Sequence, residues 1–166
     1  MNYIKITKND IANGPGVRCV LWAAGCKLHC EGCHNPQTWD FNAGKPFDEK
    51  AKNELFEVLS KPYIQGITFS GGNPLERPYD IFLLAKEIKE KFPNKDIWLY
   101  SGYTYEQIFQ VREKLKVLCY IDVLVDGPYI EEQRDISLAF RGSKNQRLID
   151  VQQTLKQGKI ITLQND

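Results

Sequence analysis

Residues 17–34 of the sequence read VRCVLWAAGCKLHCEGCH and join an apolar run to a cysteine-rich one. The apolar run Val17–Ala24 predicts a buried β-strand, with Cys19 on one face of it. The loop that follows contains three cysteines: Cys26, Cys30 and Cys33. A buried strand that leads into a loop of possible ligands is typical of parallel α/β folds, which bind ligands beyond the carboxyl ends of their strands.

The rest of the sequence alternates between strand and helix periodicity. Further buried strands are predicted at Gly66–Ser70, at Asp96–Ser101 and within Val117–Asp126. Helices are predicted after the cap Asp48, along Ile81–Ile88 before Pro93, and from the capping box of Thr104 and Gln107 through Val111 to Leu115. In the last quarter, short strands are predicted at Arg147–Val151 and Lys159–Leu163, around a helix capped by Asp150 and ended near Gly158.

This alternation predicts a fold of class α/β in a single domain over residues 1–166. The expected sheet is mostly parallel, with about five to six strands and right-handed crossovers. A complete barrel of eight β/α units takes about 250 residues. Because the chain has 166 residues, the sequence predicts a partial, open β/α barrel.

The composition argues against several classes of partner. Lysine and arginine number 22 against 21 aspartates and glutamates, so no global field attracts the chain to nucleic acid or to a membrane surface. Residues 1–7 lack the apolar core of an export signal, and no later run is long enough to span a bilayer. Five cysteines, crowded in part into one loop, do not form the pattern of a secreted disulfide framework. We therefore expect a cytoplasmic protein with a metal or redox site.

Each of the four central strands is followed by a loop that contains glycine. These loops are the cysteine loop, Ser70–Pro74, Ser101–Tyr103 and Asp126–Tyr129. In a parallel sheet all four would lie along one rim, where glycines let the backbone approach a ligand closely. The arrangement predicts a bound cofactor beside the cysteines.

The three loop cysteines leave two kinds of site open. A three-thiolate iron–sulfur cluster, with its fourth iron free for an outside ligand, fits the spacing better. A zinc site completed by a histidine is the alternative. We expect Cys19 and Cys119, which fall inside predicted strands, to be small core residues.

Several motifs together resemble a known family. The spacing Cys26-x-x-x-Cys30-x-x-Cys33 is similar to the signature of the radical S-adenosylmethionine (SAM) superfamily. Three flanking motifs resemble its glycyl-radical-enzyme activases: Asn13–Cys19 (NGPGVRC), His34–Trp39 (HNPQTW) and Ser70–Leu75 (SGGNPL). Two more, Asp122–Pro128 (DVLVDGP) and Arg141–Gln146 (RGSKNQ), are similar to activases whose partner is an anaerobic ribonucleoside-triphosphate reductase.

The resemblance implies a partial radical SAM barrel with two cofactors. A [4Fe-4S] cluster would be held by Cys26, Cys30 and Cys33, with S-adenosyl-L-methionine on the open iron. The implied cofactor contacts are Gly32, Cys33 and His34 near the adenine, Gly71 and Gly72 at the methionine end, Asn73 near its ammonium, and Ser101 and Asp126 at later strand ends. No catalytic residue beyond the cluster and the cofactor is implied.

The implied activity is that of an oxidoreductase. It would cleave S-adenosylmethionine reductively to a 5'-deoxyadenosyl radical, which abstracts hydrogen from a glycine in the large subunit of the reductase. A one-electron donor such as flavodoxin or ferredoxin would be needed. The alternatives are activation of another glycyl radical enzyme such as pyruvate formate-lyase, a small-molecule radical reaction, and a non-catalytic zinc-binding module.

The sequence departs from the family pattern at two positions. Gly32 stands where an aromatic residue is frequent, so shielding of the adenine would fall to His34 or Trp39. Asn73 stands where an acidic residue is usual and gives up the charge assistance of a carboxylate. On this ground the sequence predicts that Asn73→Asp would strengthen cofactor binding.

Overall fold

The computed structural model of the protein describes residues 1–163. The strands are β1 (Asn2–Asp10), β2 (Arg18–Ala23), β3 (Lys45–Pro46), β4 (Gly66–Gly71), β5 (Asp96–Tyr100), β6 (Val123–Asp126) and β7 (Arg147–Asp150). The α-helices are α1 (Glu49–Leu59), α2 (Pro78–Lys91), α3 (Tyr105–Phe109), α4 (Arg112–Leu118) and α5 (Val151–Gln157). No helix within residues 1–163 is long and apolar enough to cross a membrane.

The strands form one seven-stranded mixed sheet in the order β3-β1-β2-β4-β5-β6-β7. β2, β4, β5 and β6 run parallel to one another in its centre. On one side β1 pairs antiparallel with β2, and β3 at the edge pairs antiparallel with β1; on the other side β7 pairs antiparallel with β6. The α/β class and the parallel centre are confirmed, whereas the expected strand number was too low. Only Tyr3 among the nine residues of β1 is buried, so this strand lacks the apolar run that identifies the central ones.

One face of the sheet is covered by helices. A single core cluster joins the apolar stripes of α1 and α2 to alternate strand residues such as Leu21, Phe69 and Leu99, which have no exposed surface. Side chains alternate between the faces of a strand, and the helices pack against one set. The predicted helix caps also hold: Asp48 accepts from the Ala51 N–H, and Thr104 begins α3 with a complete capping box.

The opposite face of the sheet has no such helical layer among residues 1–163. Its strands present Trp98, Val123 and Val125, which form a separate small cluster with partly buried Phe140 and Tyr100. Phe140 lies edge-on to Trp98, and its carbonyl accepts the Tyr100 hydroxyl at 2.7 Å. We call this side of the sheet the open face, because loops cover it in place of helices.

Arg18 lies at the amino-terminal ends of the central strands, on the open face. The side chain is fully buried, and its guanidinium donates to Thr68 Oγ1 at 2.8 Å and to Asp96 Oδ1 at 2.5 Å. A Cβ on Gly14 would lie 2.7 Å from Arg18 Nε, so the glycine makes room for the arginine. Arg18 and Gly14 of the NGPGVRC motif therefore hold this end of the strands together.

The stretch Val117–Asp126 divides differently from the prediction. Its first two residues end α4, and the strand begins only at Val123. Cys119 is therefore an exposed helix cap, and its prediction as a core residue was wrong, whereas Cys19 is buried as expected. Periodicity alone does not separate a buried helix end from a buried strand. The helix predicted from Thr104 is likewise interrupted at Val111, whose backbone is extended.

The last quarter agrees with the prediction in part. β7 and α5 form as expected, with Asp150 accepting from the Gln153 N–H and Gly158 ending the helix in the left-handed conformation. The predicted strand Lys159–Leu163 is reduced to one isolated bridge, between Thr162 and Ile149. Because only one bridge forms, the segment after α5 adds little to the sheet.

Candidate functional site

A cavity of about 520 Å³ opens at the carboxyl ends of the parallel strands. Its lining includes residues from the loops after β2, β4, β5 and β6: Cys26, Cys30, Cys33, Gly71, Gly72, Ser101, Gly102, Gly127 and Tyr129. The prediction that these four loops share one rim is confirmed. The cavity continues onto the open face, where Trp22, Tyr100 and Phe140 line it. Its volume lies within the usual range of small-molecule sites.

The three loop cysteines all line this cavity and all have free thiols. Within residues 1–163, no three side chains of His, Cys, Asp or Glu are grouped closely enough to share a single metal ion. Zinc requires its ligands to converge on one point, whereas cysteines on a cluster bind different irons and stand further apart. Three free thiols on one cavity are a donor type that both kinds of centre use.

Backbone hydrogen bonds fix the two ends of the cysteine loop. At its start, the N–H of Gly25 donates to the Thr38 carbonyl at 2.7 Å, and the N–H of Cys26 donates to the Trp39 carbonyl at 3.1 Å. At its end, the Asn35 N–H donates to Cys33 Sγ at 3.3 Å. A hydrogen bond to sulfur stabilises the thiolate form that a metal requires.

The Cys26 thiol is partly withdrawn from water. Burial raises its pKa above the usual value, and hydrogen bonds from the backbone at Leu28 and His29 offset part of that rise. The negative charge of Glu76 also raises the pKa of Cys26. Burial therefore disfavours the thiolate of Cys26, whereas the two backbone hydrogen bonds favour it.

Gly71 and Gly72 let the end of β4 lie directly against the cysteine loop. Gly71 has φ +102°, and a Cβ there would lie 2.4 Å from the Ala23 carbonyl oxygen. A Cβ on Gly72 would lie 2.6 Å from the carbonyl oxygen of Gly25. Any larger residue would push the end of β4 away from β2 at Gly71 and away from the start of the cysteine loop at Gly72, so both positions require glycine.

Asn73 carries an unsatisfied donor. Its side chain is buried, and its Oδ1 accepts hydrogen bonds from the Ser101 hydroxyl at 3.0 Å and from the Leu75 N–H at 3.3 Å. Its Nδ2 has no partner within residues 1–163. Buried donors are almost always hydrogen-bonded, so Nδ2 calls for an acceptor atom that residues 1–163 do not supply.

The predicted cofactor residues fall into two groups. Cys33, His34, Gly71, Gly72 and Ser101 line the cavity. The lining does not include Gly32, Asn73 or Asp126. Gly32 has φ +78°, and a Cβ there would overlap the carboxylate of Glu131.

The Asp126 carboxylate is occupied by protein groups. It accepts from Arg147 Nε at 3.1 Å and Nη2 at 2.5 Å, and from the Tyr105 N–H at 2.8 Å. The same contact raises the pKa of Arg147 further above its already high value. Asp126 therefore joins β6, β7 and the start of α3, and it is fully engaged there.

Aromatic side chains stand around the cysteine loop. The rings of His29 and Trp39 are stacked, with centroids 4.2 Å apart. His34 lies 5.0 Å from Tyr129 at an angle of 49°. Trp39 Nε1 is a second buried donor without a partner in residues 1–163. The sequence placed Tyr129 in a rim loop, but its side chain was not predicted to be part of the site.

The chain matches a family model. The model described as "4Fe-4S single cluster domain" matches residues 12–149, a range that holds the three cysteines and all four rim loops. The fold and the cavity therefore belong to a protein of the class that carries one such domain.

Curated relatives narrow the class. The chain is 45% identical over 150 residues to the anaerobic ribonucleoside-triphosphate reductase-activating protein of Enterobacteria phage T4, covering 89% of this chain and 93% of the relative. It is 41% identical over 151 residues to the protein of that name from Pasteurella multocida (strain Pm70), covering 88% and 95%. For the one from Escherichia coli (strain K12) the identity is 40% over 150 residues, covering 88% and 96%. The chain belongs to the family of anaerobic ribonucleoside-triphosphate reductase-activating proteins.

Proposed function

We propose that this protein is a radical SAM oxidoreductase that activates an anaerobic ribonucleoside-triphosphate reductase by generating a glycyl radical on its large subunit. The observation that carries the proposal is the placement of Cys26, Cys30 and Cys33 around one cavity with the Gly71–Gly72 turn. Membership of the family supports the choice of partner. The motifs of glycyl-radical-enzyme activases support the reaction.

The residues of the cavity fit the proposed cofactors. Three free thiols supply the donor set of a [4Fe-4S] cluster whose fourth iron is open. The cavity of about 520 Å³ is large enough for a nucleoside-sized ligand. When bound, the reduced cluster and S-adenosylmethionine would supply a 5'-deoxyadenosyl radical for removal of hydrogen from a glycine.

The chain's own residues would bind and orient the cofactor. The backbone of Gly32, Cys33 and His34 would lie beside the adenine, and Gly71 and Gly72 would offer backbone groups to the methionine end. The free donor of Asn73 needs an acceptor, so its suitable complement on the cofactor is the carboxylate and not the ammonium proposed from sequence.

Two of the later residues would act differently. Ser101 lines the cavity and orients Asn73 through its hydroxyl. Asp126, whose oxygens are held by Arg147 and the Tyr105 N–H, would act on the cofactor indirectly by fixing the ends of β6 and α3. We therefore keep Asp126 in the proposal as a positioning residue.

The open face would admit the polypeptide substrate. The cavity extends from the cysteine loop onto this face, and this extension supports the proposal of a side opening for the substrate. A glycine loop of the reductase could approach the cofactor along it, in the cytoplasm and with an electron donor such as flavodoxin or ferredoxin. Crosslinks to the reductase confined to the helix-covered face would contradict this entry path.

Anaerobic reconstitution tests the function. The protein is loaded with iron and sulfide, reduced, and mixed with S-adenosylmethionine with and without the reductase, and radicals are followed by electron paramagnetic resonance. We expect a glycyl signal that requires the reductase. Cleavage of the cofactor without that signal would favour another partner such as pyruvate formate-lyase. A colourless protein that binds zinc stoichiometrically would instead support the non-catalytic alternative.

A further inference from the structure

Glu76 ties the cysteine loop to the ends of two other strands. Its Oε2 accepts a hydrogen bond from the Lys27 N–H at 2.9 Å, and its Oε1 accepts from the Tyr103 hydroxyl at 2.5 Å. Lys27 follows the first loop cysteine, Glu76 lies beyond β4, and Tyr103 lies beyond β5. In the described part of the chain, Glu76 is the one side chain outside the segment 26–33 that accepts a hydrogen bond from a backbone amide of that segment.

The charge of Glu76 is not neutralised by a direct ion pair. Within residues 1–163, no lysine or arginine nitrogen lies within 4.0 Å of its carboxylate. The Lys114 ammonium stands 3.7 Å from the centre of the Tyr103 ring. Glu76 itself is half-buried, so its charge is incompletely screened by water. A fixed negative charge therefore stands beside Cys26.

We propose that Glu76 is a positioning residue that keeps the reduction potential of the cluster low. The inference rests on the proposed function, because it requires a cluster on Cys26, Cys30 and Cys33. A negative charge near the cluster disfavours the added electron, since reduction makes the cluster more negative. A low potential matters for this chemistry, because the cluster must give an electron to a cofactor that is hard to reduce.

The hydrogen bond of Glu76 acts in the same direction as its charge. Hydrogen bonds from backbone amides to the sulfurs of a cluster stabilise the reduced state and raise the potential. The Lys27 amide is the first after Cys26, and it is already occupied by Glu76 Oε2. The Tyr103 hydroxyl donates to Oε1, the other oxygen of the Glu76 carboxylate, and holds the carboxylate in place. Tyr103 should therefore affect the potential only by positioning Glu76.

Redox titration of the reconstituted cluster, monitored by electron paramagnetic resonance, tests the inference. Glu76→Gln keeps the size of the side chain and removes the charge. At the midpoint potential of the wild type, we expect its ratio of reduced to oxidised cluster to rise about tenfold, which is a shift of about 59 mV for one electron. Tyr103→Phe should shift the potential in the same direction by less, and the double variant should match Glu76→Gln alone.

A matched control removes a glutamate charge elsewhere. Glu90 is exposed in the last turn of α2, which returns from the rim toward the amino-terminal edge of the sheet. We expect Glu90→Gln to leave the potential unchanged. A merely structural role for Glu76 would lower the melting temperature of Glu76→Gln without moving the potential.

The failures of the two proposals look different. An intact cluster with an unchanged potential in Glu76→Gln would overturn the role of Glu76 and leave the proposed function standing. If Glu76→Gln does not hold a cluster, an unchanged potential in Tyr103→Phe overturns that role, and a more positive one supports it. A wild-type protein that assembles no cluster would contradict the proposed function and this inference with it.

Discussion

The two faces of the sheet are built from the same strands and differ in what covers them. On the helix-covered face, Phe69 and Leu99 are sealed in the main core. Their strand neighbours Ser70 and Tyr100 point to the open face and line the cavity. Because side chains alternate along a strand, one residue step separates a position that maintains the fold from one that faces the candidate site.

The contrast separates two kinds of constraint. The helix-covered face needs apolar volume, which many residues supply at similar stability. The rim and the open face need particular groups: thiols, glycines that allow close backbone contact, and donors left free for a ligand. A substitution on the first face should change the free energy of unfolding, whereas one on the second should change cofactor binding.

The largest expected effect is the loss of the cluster, which should distinguish the three loop cysteines from Cys19. Replacing Cys26, Cys30 or Cys33 by alanine should abolish cluster assembly and activation, because each supplies a thiolate to the cluster. Cys19 lies on the helix-covered face, and burial raises the pKa of its thiol to about 12, so it is an inert core residue. Iron content and the glycyl signal measure the difference.

Two control variants complete this test. Cys19→Ala and Cys119→Ala should keep the iron content and the radical yield of the wild type. Loss of iron from either control would mean that the three loop cysteines are not the full ligand set. It would also contradict the view that residues outside the rim and the open face do not bind the cluster.

The second prediction concerns the core. Phe69→Ala on the helix-covered face should lower the free energy of unfolding by about 3–5 kcal/mol, since it removes a fully buried ring and leaves a cavity. Below its melting temperature, the folded variant should bind iron in the same ratio as the wild type. Chemical denaturation and iron analysis check the two halves, and a disproportionate loss of iron would show that the faces are coupled.

The fold was predictable from the sequence wherever an apolar pattern was regular. The stripes of α1 and α2 and the central strands follow from periodicity, because the helix-covered face imposes it. β1 was missed because it is half-exposed, and Val117–Asp126 was divided wrongly because a buried helix end and a buried strand are both apolar.

The candidate site was predictable in its position and less so in its contacts. Strand ends indicated the rim, and the spacing of the cysteines indicated their chemistry. The engagement of Asp126 by Arg147 and the free donor of Asn73 depend on residues distant in sequence. No local pattern reveals such contacts, nor the tie between Glu76 and the cysteine loop.

The third prediction uses two glycines that differ in their surroundings. Gly72→Ala places a Cβ 2.6 Å from the Gly25 carbonyl oxygen. Because this displaces the cysteine loop from the methionine end of the cofactor, activation should fall by up to about 10²-fold. Gly158→Ala is the control: Gly158 has φ +70° at the end of α5 and no atom within 4 Å of the added Cβ.

The control glycine should affect stability alone. Left-handed backbone strain in Gly158→Ala costs about 1–2 kcal/mol, without an effect on activation by folded protein. Single-turnover rates and thermal melts separate the two variants. Equal losses of activation in both would indicate that the proximity of the loops at Gly72 has no special role.

The smallest expected effect is that of Asn73→Asp on cofactor binding, for which the sequence and the structure predict opposite directions. From sequence, Asn73→Asp is expected to strengthen cofactor binding through charge. In the structure Oδ1 already accepts from Ser101 and Leu75, while Nδ2 is a buried donor without a partner in residues 1–163. Aspartate would keep the acceptor, lose the donor and add a buried charge, which is costly without a partner.

We therefore expect Asn73→Asp to weaken binding of S-adenosylmethionine by about tenfold, the cost of one lost hydrogen bond to a charged group. Asn73→Ser keeps a donor on a shorter side chain, so its affinity for S-adenosylmethionine should lie between those of the wild type and Asn73→Asp. Calorimetric titration of the reconstituted protein measures all three affinities. Tighter binding by Asn73→Asp would place the ammonium of the cofactor at this position, and Nδ2 would then be an unsatisfied group of the fold with no role in recognition.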